Sequence, residues 1–199
     1  MSEPHKKEEI NWTKNRVGPP YTALTLDTCI YQKHGFRFDS GLLEKLGGQS
    51  IQIVTPEIVS NEVQRHLSEI ENKASRDLKS SIDKFKDTYF LQESQTAQLD
   101  GVKGLVEKVI PHRKFKIFVT LLRNHLFLNS KFCSVERLVD GYFREIPPFI
   151  GPRKKNEFPD AVALLSLEGW AKQNNKKVLA VSNDKGWLSF SEQSDHIDV

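Results

Sequence analysis

Pro159 to Trp170 reads Pro-Asp-Ala-Val-Ala-Leu-Leu-Ser-Leu-Glu-Gly-Trp, an almost wholly apolar helix opened by one carboxylate. A helix apolar around its circumference has no face to give to water and has to be covered by other elements. Proline suits the opening, because its missing N–H would have no intrahelical partner there and its fixed φ already fits the helix. Asp160 is thereby held near a positive helix end among buried side chains. A carboxylate in that position is either a cap or a ligand, and the rest of the chain has to decide which.

The elements around this helix point to an α/β fold. Tyr21–Ile30 carries β-branched and apolar residues up to Asp27, which predicts a buried first strand with a carboxylate at its C-terminal end. Ser40 is placed to cap a short helix over Leu42, Leu43 and Leu46 that stops at Gly47-Gly48. Ile51–Val54 reads as a second strand, and Thr55-Pro56 then opens a helix with Thr55 as N-cap. In that helix Ile58, Val59, Val63, Leu67 and Ile70 share one side, and Glu62 falls among them. A carboxylate in an apolar stripe loses hydration unless a cation, a metal or a set of donors compensates it. Asn72–Leu126 is charged and helical in character, Ser134 caps a further helix through Phe143, and Lys177–Asp184 is a strand with a second carboxylate just past its end.

Composition bounds the alternatives. The 199 residues are 38% hydrophobic and 28% charged, which predicts one domain over 21–199, a tail over 1–20 and a helical elaboration over 72–150. A net charge of +3 permits a nucleic-acid partner without requiring one. Two cysteines far apart, with no CxxC pair, suggest neither a disulfide framework nor a zinc site. The first residues have no apolar core and no later run is long enough to cross a bilayer, so a cytoplasmic protein with no membrane partner is expected.

Strand, helix, strand, helix and strand predict a parallel sheet, and ligands of such sheets bind beyond the carboxyl ends of the strands. Asp27 and Asp184 belong to that edge, and right-handed crossovers bring the starts of the helices carrying Glu62 and Asp160 to it. Each acid has a modest explanation: Asp27 as a loop cap, Asp160 in its helix dipole, Asp184 in an Asx-turn. Four acids at one edge without an equally clear buried basic partner repel one another unless they protonate or bind cations. Hard oxygen ligands suit Mg²⁺ or Mn²⁺, ions that activate water and stabilise the leaving oxygen of a phosphodiester. Arg153, Lys154 and Lys155 enter the same edge, and His112–Phe118, with Arg113 and Lys114, interleaves bases with aromatics; both runs are candidate phosphate contacts or simply solvated faces.

The order Leu26-Asp27-Thr28, Thr55-Pro56 with Glu62, Phe158-Pro159-Asp160-Ala161 and Val181-Ser182-Asn183-Asp184 resembles the PIN domain, in particular its larger bacterial members with a helical elaboration. The resemblance implies a three-layer α/β/α domain with a central parallel sheet and a helical insertion between the second and third acids. It implies a metal-dependent nuclease, acting on RNA or less often on single-stranded or structured DNA. Asp27, Glu62, Asp160 and Asp184 match the family's four acids in order. Ser182 falls where the family often has a hydroxyl supporting the last acid, with Asn183 beside it; Glu157 is an accessory metal-shell acid or a solvated residue.

A haloacid-dehalogenase-type phosphatase needs a second Asp two positions after the first, and position 29 is Cys. No Gly-rich phosphate loop follows the first strand, which disfavours a P-loop or dinucleotide-binding fold. A phospho-receiver domain fits the long helical middle poorly. The expected activity is hydrolytic cleavage of RNA with Mg²⁺ or Mn²⁺. Its rivals are a DNA-directed nuclease and a catalytically silent nucleic-acid-binding or protein-interaction module. Candidate partners beyond the substrate are an antitoxin, a further domain of a longer parent, and a second copy of the chain; toxin, phage-defence and RNA-processing roles stay open. Ile197–Val199 is placed to begin a final strand.

Overall fold

The computed structural model describes residues 21–36, 51–108, 125–152 and 154–199. Five parallel strands form one sheet: β1 (Ala23–Leu26), β2 (Gln52–Pro56), β3 (His125–Leu128), β4 (Val178–Val181) and β5 (Ile197–Asp198), in the spatial order β3-β2-β1-β4-β5. Helices α1 (Thr28–Lys33), α2 (Glu57–Thr88), α3 (Glu93–Glu107), α4 (Val135–Arg144), α5 (Phe158–Gln173) and α6 (Lys185–Ser191) flank it, as an α/β/α domain requires. Among the described residues no helix is long and apolar enough to cross a membrane.

The central strand is the shortest path to the core. Ala23, Leu24, Thr25 and Leu26 are all buried, paired in parallel with β2 on one side and with β4 on the other. This first strand ends directly before Asp27, as the apolar run up to that carboxylate predicts. The Asp27 N–H still donates to the Val181 carbonyl, and at Thr28 the chain winds into α1. The second strand, conversely, runs past Val54 to Pro56, so Thr55 is not a helix cap. Its buried hydroxyl lies 3.0 Å from His125 Nε2 and ties β2 to the neighbouring strand.

That neighbour, β3, lies within a region predicted to be helical. Its four residues pair in parallel with Ile53–Pro56 and form one edge of the sheet. The strand expected at Ile197–Val199 is present as β5 on the opposite edge, beside β4. Ser134 caps α4 as predicted, accepting from the Arg137 N–H. The helix predicted after Ser40 and the basic–aromatic run 112–118 lie outside the described residues.

Helix α5 is buried along most of its length, including Ala161, Ala163, Leu164, Leu165, Leu167, Trp170 and Ala171, as its composition demands. It contacts β2, β3 and β5 and also α2, α4 and α6. Gly169 brings it against the turn Ser130–Phe132 so closely that a Cβ there would overlap the Phe132 carbonyl oxygen. Glu168, buried in the same turn of α5, is held by Arg137 of α4 and by the Ser194 hydroxyl at 2.6 Å. Helix α2 is anchored only by its first turns: Val59, Val63 and Leu67 are buried, and beyond them only Ile82 is. Position 72 falls within this helix without a break, and the 32-residue element spans about 48 Å.

Candidate active site

The carboxyl ends of β1 and β4 are adjacent, and this is where the chain's strand order reverses direction across the sheet. Open α/β sheets bind ligands at such a switch point. Asp27 follows β1 there and is only 5% exposed. Ser182, one residue past β4, donates from Oγ to Asp27 Oδ2 at 2.6 Å and accepts from the Asp184 N–H at 2.9 Å. Ser182 therefore supports the first acid directly and the last one through its backbone.

Asp184 realises its modest reading in part. Its Oδ1 accepts from the N–H groups of Gly186 at 2.6 Å and Trp187 at 3.3 Å, closing the Asx-turn that caps α6. The same cap orients Trp187, whose buried indole Nε1 donates to Asp160 Oδ1 at 2.6 Å. Asp27, Ser182, Asp184, Trp187 and Asp160 thus form a continuous relay of contacts across elements far apart in sequence. Asp160 lies in the first turn of α5, and its Oδ1 is taken by Trp187.

Electrostatics marks Asp160 out. Burial pushes its pKa up to about 7; the Trp187 hydrogen bond opposes this, and the negative charges of Asp27, Asp184 and Glu157 add to it. Glu157, just before α5, is raised by burial and then by Asp184, so it belongs to the acidic group rather than to free solvent. Among the described residues none of Asp27, Glu157, Asp160 and Asp184 forms an ion pair with a lysine or arginine. Glu62 stands apart from these four. Its Oε2 accepts from the buried Thr28 hydroxyl at 2.8 Å, which ties the second acid to the residue after the first.

The donor chemistry, uncompensated carboxylate oxygen, fits Mg²⁺ or Mn²⁺. The spacing is looser than the chemistry: among the described residues no three His, Cys, Asp or Glu side chains gather closely enough to hold one ion. Cations would let all the acids ionise together, which relieves the penalty that Asp160 registers.

The basic candidates divide. Lys154 Nζ lies 3.0 Å from Glu145 Oε1 and 4.9 Å from the centre of the Tyr142 ring, so it is engaged within the fold. Lys155 is exposed two residues before Glu157, while Arg153, Arg113 and Lys114 lie outside the described residues. Asn183 is exposed, and its N–H points to Cys29 Sγ at 3.5 Å. Burial, opposed by that N–H, pushes the Cys29 thiol up, and neighbouring Asp27 raises it further.

Two site residues were not predicted from the sequence: Trp187, and Thr28, quoted without a role. Thr28 could have been found, since a hydroxyl directly after a strand-end acid is suited to reach a neighbouring carboxylate. Ser182→Ala should cost about 1–2 kcal/mol of stability, because it leaves Asp27 and the Asp184 N–H short of partners. Denaturant unfolding without added metal measures it, and an unchanged midpoint would contradict the bridging role.

A model of the PIN domain matches residues 24–187, from the second residue of β1 to Trp187. Searches of curated proteins and of solved structures found no match. The matched span runs over all four acids and over the strands from β1 to β4, ending before β5, within a family generally of nucleases that typically use divalent metals. The chain belongs to the PIN-domain family.

Proposed function

We propose that this protein is a metal-dependent endoribonuclease that hydrolyses phosphodiester bonds of single-stranded or structured RNA. The observation that carries the reading is the uncompensated meeting of Asp27, Glu157, Asp160 and Asp184 at the β1–β4 edge, with Asp160 raised to about 7. Acids arranged in this way repel a phosphate, so a substrate of that charge requires a cation between them.

Asp27, Asp160 and Asp184 would hold one or two Mg²⁺ or Mn²⁺ ions, each through one or two carboxylates and retained waters, with Glu62 and Glu157 orienting water nearby. The ion when bound supplies Lewis-acid chemistry: a bound water of lowered pKa and neutralised charge on the phosphate. Around it, Trp187 fixes Asp160 through Oδ1, which leaves Oδ2 for ligand or water. Ser182 fixes Asp27 through Oδ2 and leaves Oδ1. Thr28 holds Glu62 through Oε2 and leaves Oε1 for water. Each acid therefore presents one oriented oxygen at little cost in side-chain freedom. Exposed Lys155 offers a phosphate contact at the rim.

The test is cleavage of labelled single-stranded RNA and DNA, with Mg²⁺, with Mn²⁺ and with chelator, beside Asp27→Asn. Metal-dependent cutting of RNA, lost by at least about a hundredfold in the variant, is the expected result. An inert wild type would remove the proposal. It would favour a second reading, a silent nucleic-acid-binding module, to which the loose spacing of the acids lends support. Preferential cutting of DNA would keep the chemistry and change the substrate.

A further inference from the structure

A cluster of aromatic rings stands against the acidic edge, where α4 ends and α5 begins. The Tyr142 ring lies 5.5 Å from Phe149 and 5.0 Å from Phe158, and Phe149 lies 5.0 Å from Phe158, centre to centre. All three spacings are those at which aromatic pairs attract. Phe158 directly follows Glu157 and stands two residues before Asp160. The loop that carries Phe149 is fixed to the acids as well. A Cβ on Gly186, in the first turn of α6, would lie 3.1 Å from Pro148 Cβ and 3.5 Å from Glu157 Oε2. The rings are therefore part of the wall of the candidate active site rather than a separate patch.

Three of these rings are used within the fold. Phe149 is buried, Phe158 is half-buried, and Tyr142 has Lys154 Nζ 4.9 Å from its centre, with that lysine held by Glu145 at 3.0 Å. Phe143 is different. Its ring sits edge-on to Tyr142 at 5.4 Å and is 75% exposed, and among the described residues no cation lies over it. An exposed phenylalanine alone is ordinary. This one is braced from behind by Tyr142, and only two ring contacts, of 5.4 Å and 5.0 Å, separate it from Phe158 at the acids. A nucleic-acid strand whose phosphate meets the acids brings a neighbouring base to such a ring. Exposed Val139 and Val135 continue the apolar face along α4 at helical spacing, away from the acids. A protein helix would cover that whole strip, whereas a base needs only its aromatic end, and it is the aromatic end that is joined to the site.

We propose that Phe143 is a stacking platform for an unpaired base of the substrate, next to the phosphate that meets Asp27, Asp160 and Asp184. Every base has a π-face, so the platform accepts any of the four; a base inside a duplex is already stacked and cannot reach it. Phe143 thereby selects single-stranded RNA, or an unpaired loop, over a helix, with little preference for sequence. The placement of the phosphate rests on the nuclease reading, while the stacking has a readout of its own.

Binding of single-stranded RNAs with 2-aminopurine at successive positions, measured on the full chain with Ca²⁺ as the carboxylate-bound cation, tests it, because stacking quenches that base's fluorescence. The wild type is expected to quench one position most. Phe143→Ala and Phe143→Leu should lose the quench and bind roughly tenfold more weakly, and Phe143→Trp should keep both. Circular dichroism should be unchanged in all three, since the ring is exposed, and Val135→Ala should bind as the wild type does. A wild type that does not bind or does not quench overturns the proposal, as does equal affinity for a duplex of the same sequence. Full binding by Phe143→Leu overturns it too, and leaves the face to an apolar helix of another protein. A wild type that quenches but cuts no RNA with Mg²⁺ or Mn²⁺ upholds the platform and removes the nuclease reading; one that cuts RNA and is indifferent to Phe143→Ala removes the platform alone.

Discussion

Asp160→Asn is expected to stabilise the metal-free protein at pH 8 while abolishing cleavage. The direction follows from where the carboxyl titrates. In the folded chain its pKa is raised from 3.8 to about 7, so the native state holds this proton more tightly than the unfolded chain does. Its favourable contribution is complete below about pH 4 and is lost as the pH rises through 7. At pH 8 the native state carries an ionised, half-buried Asp160 facing the charges of Asp27, Asp184 and Glu157. The full interval corresponds to ~4 kcal/mol, and screening at the partly open edge leaves ~1–2 kcal/mol. The amide keeps an oxygen for the Trp187 indole and removes the charge. Thermal unfolding of both proteins from pH 4 to pH 8 should therefore show the variant gaining on the wild type as the pH rises. Added Mg²⁺ should stabilise the wild type and not the variant. A gain that is absent at pH 8, or equal at every pH, would show that Asp160 is not under this strain.

Gly169→Ala is expected to be the most damaging single methyl addition among the described helices. The new Cβ would overlap the Phe132 carbonyl oxygen, a backbone atom in a turn tied to the end of β3. Neither side can move as a flexible side chain can, because α5 is buried around most of its surface. A loss of at least ~3 kcal/mol follows, read as a fall in the urea midpoint. Gly101 on α3 supplies the contrast. It is exposed, and a Cβ there meets nothing within 4 Å, so Gly101→Ala should stabilise its helix by ~0.5–1 kcal/mol. Equal effects at the two positions would remove the close-approach argument.

What the sequence revealed follows what is local in the physics. Asp27 and Asp184 were legible because each closes an apolar run, and Asp160 because a proline and an apolar helix frame it. Their convergence followed from the handedness of parallel crossovers. β3 was not legible: His-Leu-Phe-Leu is four residues, too short for alternation to separate strand from helix, and its partner for pairing lies about seventy residues earlier. Thr55 was misread because a Thr-Pro pair suits a helix start as well as a strand end, and the choice was made by His125, a residue with no local signal. Trp187 escaped for the same reason. Its indole finds Asp160 across 27 positions, and nothing in the sequence around either one records that meeting. Glu157 needed the fold to show that it lies beside Asp184.

The pairing of β1 with β4 also has a consequence in time. The two strands that carry Asp27 and Asp184 are neighbours in the sheet, yet some 155 positions separate the Ser182 hydroxyl from the Asp27 carboxylate it holds. Until β4 has been made and has docked, Asp27 has neither its hydroxyl donor nor the acids opposite it. Helix α6 and the indole that fixes Asp160 come later still. A growing chain therefore carries separated acids and no assembled centre until β4 and α6 have been made, and the site appears with the closing of the sheet.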